Sequence, residues 1–328
     1  MARAREIYTK VIRSLITYGA SAFHTPSKNN KPRGIARNLA SAQSRCLRVV
    51  AGAYRATPVR SLETETYVPP IDLYLNKRLA DFEERLERTG KADLIRTACA
   101  AIATQLRRRP GPRRGRPRRR VEDLPPHRDS GTAKAQWARR WTGSTLATDE
   151  ALERDWKARW ERLYSKSIAD RFWRDDEPAD RPSFNGKALE KHAGLKKHES
   201  SLLVQIRTGK IGLRAFLFDR KVPAVNTPRC SCGHARETVA HLALTCPDTA
   251  EARAQLRTAL QPNPMQDSFD FRRATESNET AALLVRWVLG LGRLREYRLA
   301  VRVENDDDDG EDQDRMDGID IEEPEGSG

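Results

Sequence analysis

The chain has 328 residues, of which 38% are apolar, 32% charged and 6% aromatic, and its formal net charge is +14. That length accommodates two domains with a core in each, while the polar balance predicts that much of the chain is solvated or disordered. No apolar run reaches the roughly eighteen residues that cross a bilayer, and no basic-then-apolar leader follows Met1, so neither a membrane partner nor a secretory route is expected.

The basic character is greater than the net charge suggests. Thirteen Asp or Glu residues against the single Arg315 crowd positions 304–328, which leaves about +26 on the rest of the chain. A surplus of that size points to a polyanion partner, nucleic acid (RNA or DNA) before anionic membrane. Five cysteines, three of them clustered, fit a reducing nuclear or cytoplasmic setting and a metal better than a disulfide framework.

The first element is an amphipathic helix over Arg3 to Phe23, with Ile7, Tyr8, Val11, Ile12, Leu15, Ile16 and Phe23 at three- and four-residue intervals. His24 to Arg33 reads as a polar loop. A second helix runs from Ile35 to Ala51 with Ile35, Leu39, Ala42, Cys46, Val49 and Val50 as its buried stripe and Gly52 as its stop. Thr57-Pro58 reads as an N-cap followed by proline at the first helical position, opening a short helix to about Thr66. After Pro69-Pro70, helical spacing resumes from Ile71 to Glu87. These pieces form a small all-helical bundle over residues 1–105.

Residues 106–135 read as a basic disordered linker. Arg107, Arg108, Arg109, Arg113, Arg114, Arg116, Arg118, Arg119 and Arg120 alternate with three prolines, which forbid a regular helix while the like charges repel. The run suits a solvated linker, a phosphate-tracking arm or a nuclear import signal, and composition does not separate them. A second helical region over 136–228 carries Trp137, Trp141, Trp156, Trp160 and Trp173. The pairs spaced by four share a helix face, and the reading favoured is packing anchors over base-stacking platforms. Gly209 and Gly212 divide its end into two short helices.

Residues 229–248 hold the densest chemistry. Cys230-Ser231-Cys232, eight residues, His241, four residues and Cys246 supply three thiolates and one imidazole, a donor set that suits tetrahedral zinc in a closed, structural site. Gly233 permits the tight turn that Cys-x-Cys ligation requires, and Pro247 ends the helix that carries His241. His234 is a rival to His241 as the fourth ligand. Arg229, Arg236 and Arg253 are expected around the metal, facing phosphates. Helices over Thr249 to Leu260 and Ala281 to Leu299 complete the C-terminal region 249–303, before the acidic tail 304–328. The expected fold is therefore mainly α, with a Zn2+-holding module inserted in its second half.

Two stretches resemble the C-terminal part of a non-LTR (LINE-like) retrotransposon reverse transcriptase. Ile7-Tyr8-Thr9-Lys10-Val11-Ile12, Leu15 to Ala20, Leu47 to Pro58 and Pro70-Ile71-Asp72-Leu73 are similar to the thumb that follows the polymerase palm. Gln205-Ile206-Arg207-Thr208-Gly209 followed by Cys-x-Cys, Glu237-Thr238, His241 and Cys246-Pro247 is similar to the family's CCHC zinc knuckle. The resemblance covers about a third of the chain and implies nucleic-acid binding. The family's catalytic carboxylates have no counterpart, since Asp175-Asp176 lies among Asp, Glu and Pro with no strand pattern around it. No lysine follows Lys221 to complete an endonuclease site, and no strands mark an RNase H domain. The chain is accordingly expected to bind RNA or DNA without catalysis, with association to an intact retrotransposon polymerase, or a protein-interaction role for the helices, as the alternatives.

Overall fold

A computed structural model of the chain describes residues 1–19, 24, 32, 35–95, 97–98, 148–165, 184, 188–260 and 271–298. The arginine run, Trp137, Trp141, Trp173, Asp175-Asp176 and the acidic tail lie outside these residues. Every regular element among the described residues is helical. The chain divides into two compact units, Met1–Gly194 and Leu195–Gly328. This boundary falls within the tryptophan-rich region expected over 136–228: the helix Asp149–Ser165 lies in the first unit, and the helices Lys197–Arg207 and Arg214–Asp219 lie in the second with the cysteine cluster.

In the first unit, α1 (Ala2–Ile7) and α2 (Arg13–Ile16) are joined by a π-helical turn, Tyr8–Ile12. The extra residue in that turn shifts the helical register. Tyr8 is buried and donates to Gln43 Oε1 at 2.7 Å, while Ile7, Val11 and Leu15 are more than half exposed. The apolar stripe expected to face the core is thus mostly on the surface.

The helix α3 (Ile35–Ala51) has the bounds the sequence predicts, and Gly52 follows at φ +60, the left-handed region that favours glycine. Its buried face is Ala36, Gln43, Leu47, Val50 and Ala51, about one position round from the expected stripe; Val49 is 75% exposed and Cys46 only half-buried. Gln43 is the polar member of that face. It accepts from Tyr8 and donates to the Pro69 carbonyl at 3.0 Å, and a polar side chain satisfied on both ends can replace an apolar one in the core.

Next come α4 (Val59–Glu65), capped by Pro58 rather than Thr57, and α5 (Ile71–Arg88). Between them Tyr67 adopts φ +47, and the bonds Tyr67 N–H to Thr64 O and Val68 N–H to Glu63 O close a Schellman turn. A tyrosine is held in this glycine-type conformation by its surroundings. Its ring lies 5.5 Å from that of Trp156, and its carbonyl accepts from Arg5 at 2.9 Å.

Helix α6 (Asp149–Ser165) packs on α5 through Leu73, Leu152 and Trp156. Trp156 is buried and stands edge-on to Phe184 at 4.8 Å, with Trp160 6.2 Å from the same ring. For this pair the packing role is what the structure shows. Arg159 on α6 makes a buried bidentate bond to Asp72 on α5, at 2.8 and 2.6 Å.

The second unit is built on α7 (Lys197–Arg207), α8 (Arg214–Asp219), α9 (Val239–Leu244), α10 (Ala250–Leu260), α11 (Phe271–Ala274) and α12 (Asn278–Gly290). Helix α12 begins earlier and ends well before Leu299: residues 291–294 leave the helix and a short 3-10 turn, Arg295–Tyr297, follows. The core joins Leu202, Leu203, Leu213, Leu242, Leu284 and Val285 to Cys230 and Cys246, so the cysteine module is part of this core. Burying side chains of this kind contributes about 1.5–3 kcal/mol each. Among the described residues, no helix is long and apolar enough to cross a membrane.

Candidate metal centre

The turn that opens the site is fixed by its own backbone. Gly233 N–H donates to the Cys230 carbonyl and Cys230 N–H to the His234 carbonyl, each at 3.0 Å, with Gly233 at φ +90. Only glycine enters that conformation at low cost, and the turn carries Cys230 and Cys232 back to the same side. Thr238 caps α9 by accepting the His241 N–H at 3.1 Å, which places His241 in the first turn of the helix. The chain then leaves α9 at Thr245, and Cys246 N–H donates back to the His241 carbonyl at 2.9 Å.

These two pieces bring one donor atom from each of Cys230, Cys232, His241 and Cys246 within 4.8 Å of one another. Cys230 Sγ lies 3.8 Å from Cys246 Sγ, and Cys232 Sγ 3.2 Å from His241 Nε2. All four sequence-predicted ligands therefore converge, and the arrangement is compatible with a metal ion. His234 does not join them. Its ring stacks on that of His241 at 4.0 Å and 9°, and its Nδ1 lies 3.1 Å from the Arg236 carbonyl.

Burial and neighbouring groups move the protonation of three of the four donors in different directions. Burial pushes the Cys246 thiol up to about 11, which favours its protonated form. The Cys232 thiol is held below its ordinary value by the His234 backbone N–H, against an opposing effect of burial. Burial and the neighbouring His234 lower His241, which keeps the imidazole neutral and able to coordinate. Its remaining nitrogen, Nδ1, lies 3.0 Å from Thr245 Oγ1, leaving Nε2 turned to the cluster.

A polar frame that the sequence reading did not assign surrounds the cluster. Glu237 is buried and accepts the Arg214 backbone N–H at 3.0 Å and Arg293 Nη1 at 3.0 Å. Arg293 also donates to Ser231 Oγ at 2.8 Å, and Ser231 in turn donates to Asp248 Oδ2 at 2.5 Å. One guanidinium from beyond α12 thereby ties both halves of the module together. The Thr245 contact was readable from its i+4 position after His241; the Arg293 contact, 56 residues from Glu237, left no local signal.

The arginines expected to ring the metal divide. Arg229 is exposed. Arg236 instead bonds Asp219 at 2.7 Å, and Arg253 donates to the Cys246 carbonyl at 2.6 Å. These two therefore face their own chain rather than outward, because the module is packed into a helical unit that supplies them with acceptors. The nine arginines of the 107–120 run lie outside the described residues. Comparison with family models, curated proteins and solved structures found no match to this chain.

Proposed function

We propose that Cys230, Cys232, His241 and Cys246 hold one structural Zn2+, and that the chain is a nucleic-acid-binding segment of a non-LTR retrotransposon reverse transcriptase that works without a catalytic centre of its own. The observation that carries the metal is the spacing of the donors. Zn–S bonds of about 2.3 Å in a tetrahedron set sulfur atoms about 3.8 Å apart, and Cys230 and Cys246 stand at 3.8 Å. Four protein ligands close the shell, leaving no position for a reacting water.

Nucleic acid as the partner is supported by the charge surplus and by the thumb-like and knuckle-like motifs. Protein purified under reducing conditions should contain about one equivalent of zinc; less than roughly half an equivalent removes the metal assignment. Binding to RNA or DNA oligonucleotides should weaken steeply with salt, as counterion release requires. Template-dependent primer extension by the purified chain would refute the non-catalytic half.

One observation favours a second reading, in which the first unit docks on another polypeptide such as an intact polymerase. Val11, Leu15 and Tyr18 present a surface apolar row, 53%, 71% and 86% exposed. On that reading Leu15→Asp leaves nucleic-acid binding intact and abolishes cross-linking to a polymerase supplied in trans.

A further inference from the structure

The geometry points to His234 as a base-stacking platform for single-stranded nucleic acid, presented by the metal-binding turn. This inference rests on the nucleic-acid reading above and adds to it the strand state of the partner and the residue that recognises it. His234 is exposed, yet its ring is not free to turn. One face lies against the ring of the ligand His241 at 4.0 Å and 9°, and its Nδ1 edge lies against the Arg236 backbone, 3.1 Å from the carbonyl and 3.3 Å from the N–H. Among the described residues no second ring lies against His234, and the residue is exposed.

An exposed side chain ordinarily loses rotamer freedom when it binds, and that loss opposes affinity. His234 is already ordered by a ring that a bound metal would hold in place, so a base can stack on it with little further loss. Stacking on a fixed aromatic face is how single strands are gripped with little sequence preference, since every base offers a π face and unpaired bases are accessible.

The surroundings supply the second half of such a site. The Asp219–Arg236 ion pair draws the end of α8 against the turn, and with it the exposed residues Arg220 and Lys221. Glu237 N–H donates to the Pro228 carbonyl at 2.8 Å, which brings exposed Arg229 to the same segment. Arg220, whose guanidinium lies 5.8 Å from the centre of the Phe216 ring, Lys221 and Arg229 thus sit on the segments joined to the turn that carries His234. Cations on segments next to a π face match a strand that offers phosphates along one edge and bases along the other. A duplex hides its base faces, so it engages the cations alone.

The test uses the full, metal-loaded chain with two fluorescein-labelled probes of equal charge: an oligouridine and an abasic oligomer of the same length. His234→Ala should lose about five- to tenfold in affinity for oligouridine and change little on the abasic probe, while His234→Phe should retain wild-type affinity for both. Zinc content is measured on each variant. Should alanine empty the site, His234→Leu, which covers His241 without offering a π face, takes its place.

Equal losses on the two probes, no loss on oligouridine, or a phenylalanine variant as weak as alanine would each overturn the stacking role while leaving nucleic-acid binding standing. Failure of the wild-type chain to bind either probe would overturn both readings.

Discussion

Thr245 shows how a single hydroxyl beside a donor cluster can orient one of its members. His241 offers two nitrogens, and a cluster with three thiolates needs Nε2 unprotonated and pointing inward. The Thr245 Oγ1 atom, 3.0 Å from Nδ1, holds the proton on the far nitrogen and fixes the ring. Thr245→Val keeps the shape and removes the acceptor. Metal affinity, read by competition with a chromophoric chelator, should fall about tenfold, within the range such outer contacts contribute. Unchanged affinity would mean that packing alone orients the imidazole. The clustering of the four donors was legible in the sequence because their types and spacings are local; the residues that steady them were legible only where they too are local, as Thr245 is and Arg293 is not.

At the scale of elements, helix positions were readable and helix faces less so. The limits of α3 and α5 follow from apolar spacing and from Gly52 and Pro70, all within one or two turns of chain. Which face of α3 is buried depends on Gln43 finding partners in Tyr8 and Pro69, which no periodicity reports. The surface position of Ile7, Val11 and Leu15 likewise depends on a π-helical turn that shifts the register by one residue.

The ends of helices carry testable cost. Lys221 closes α8 at φ +54 through the bonds Lys221 N–H to Phe218 O and Val222 N–H to Leu217 O, the turn in which glycine is favoured. Its side chain is exposed. Lys221→Gly should therefore stabilise the protein by about 0.5–1 kcal/mol in urea unfolding, the left-handed penalty less the added freedom of the unfolded chain. On the nucleic-acid reading proposed above, the same change should weaken binding slightly by removing one cation.

The opposite sign is expected at the α5–α6 contact. Arg159→Ala strands the Asp72 carboxylate in a buried position and should cost about 3–5 kcal/mol. A smaller loss, below about 1 kcal/mol, would show that water reaches Asp72.

Over the whole molecule, the division into two units decides what removal of the metal does. Cys230 and Cys246 are counted among the buried core of the second unit, alongside Leu202, Leu213, Leu242 and Leu284. On the proposed metal reading, stripping the ion would leave three thiols and an imidazole facing one another inside that core without metal bonds between them. The Trp156 cluster and the Asp72–Arg159 pair of the first unit include none of the four clustered Cys and His residues.

Thermal unfolding with and without a chelator should accordingly show two transitions, only one of which falls on chelation. A ligand that binds only the folded state adds RT ln(1 + [L]/Kd), so a tight metal raises its own transition by several kcal/mol and leaves the other unmoved. Arg159→Ala identifies the second transition, because it should lower that one alone. If chelation lowered both transitions together, or neither, the module would not be an organising part of the second unit, and the ion would be an addition to a fold complete without it.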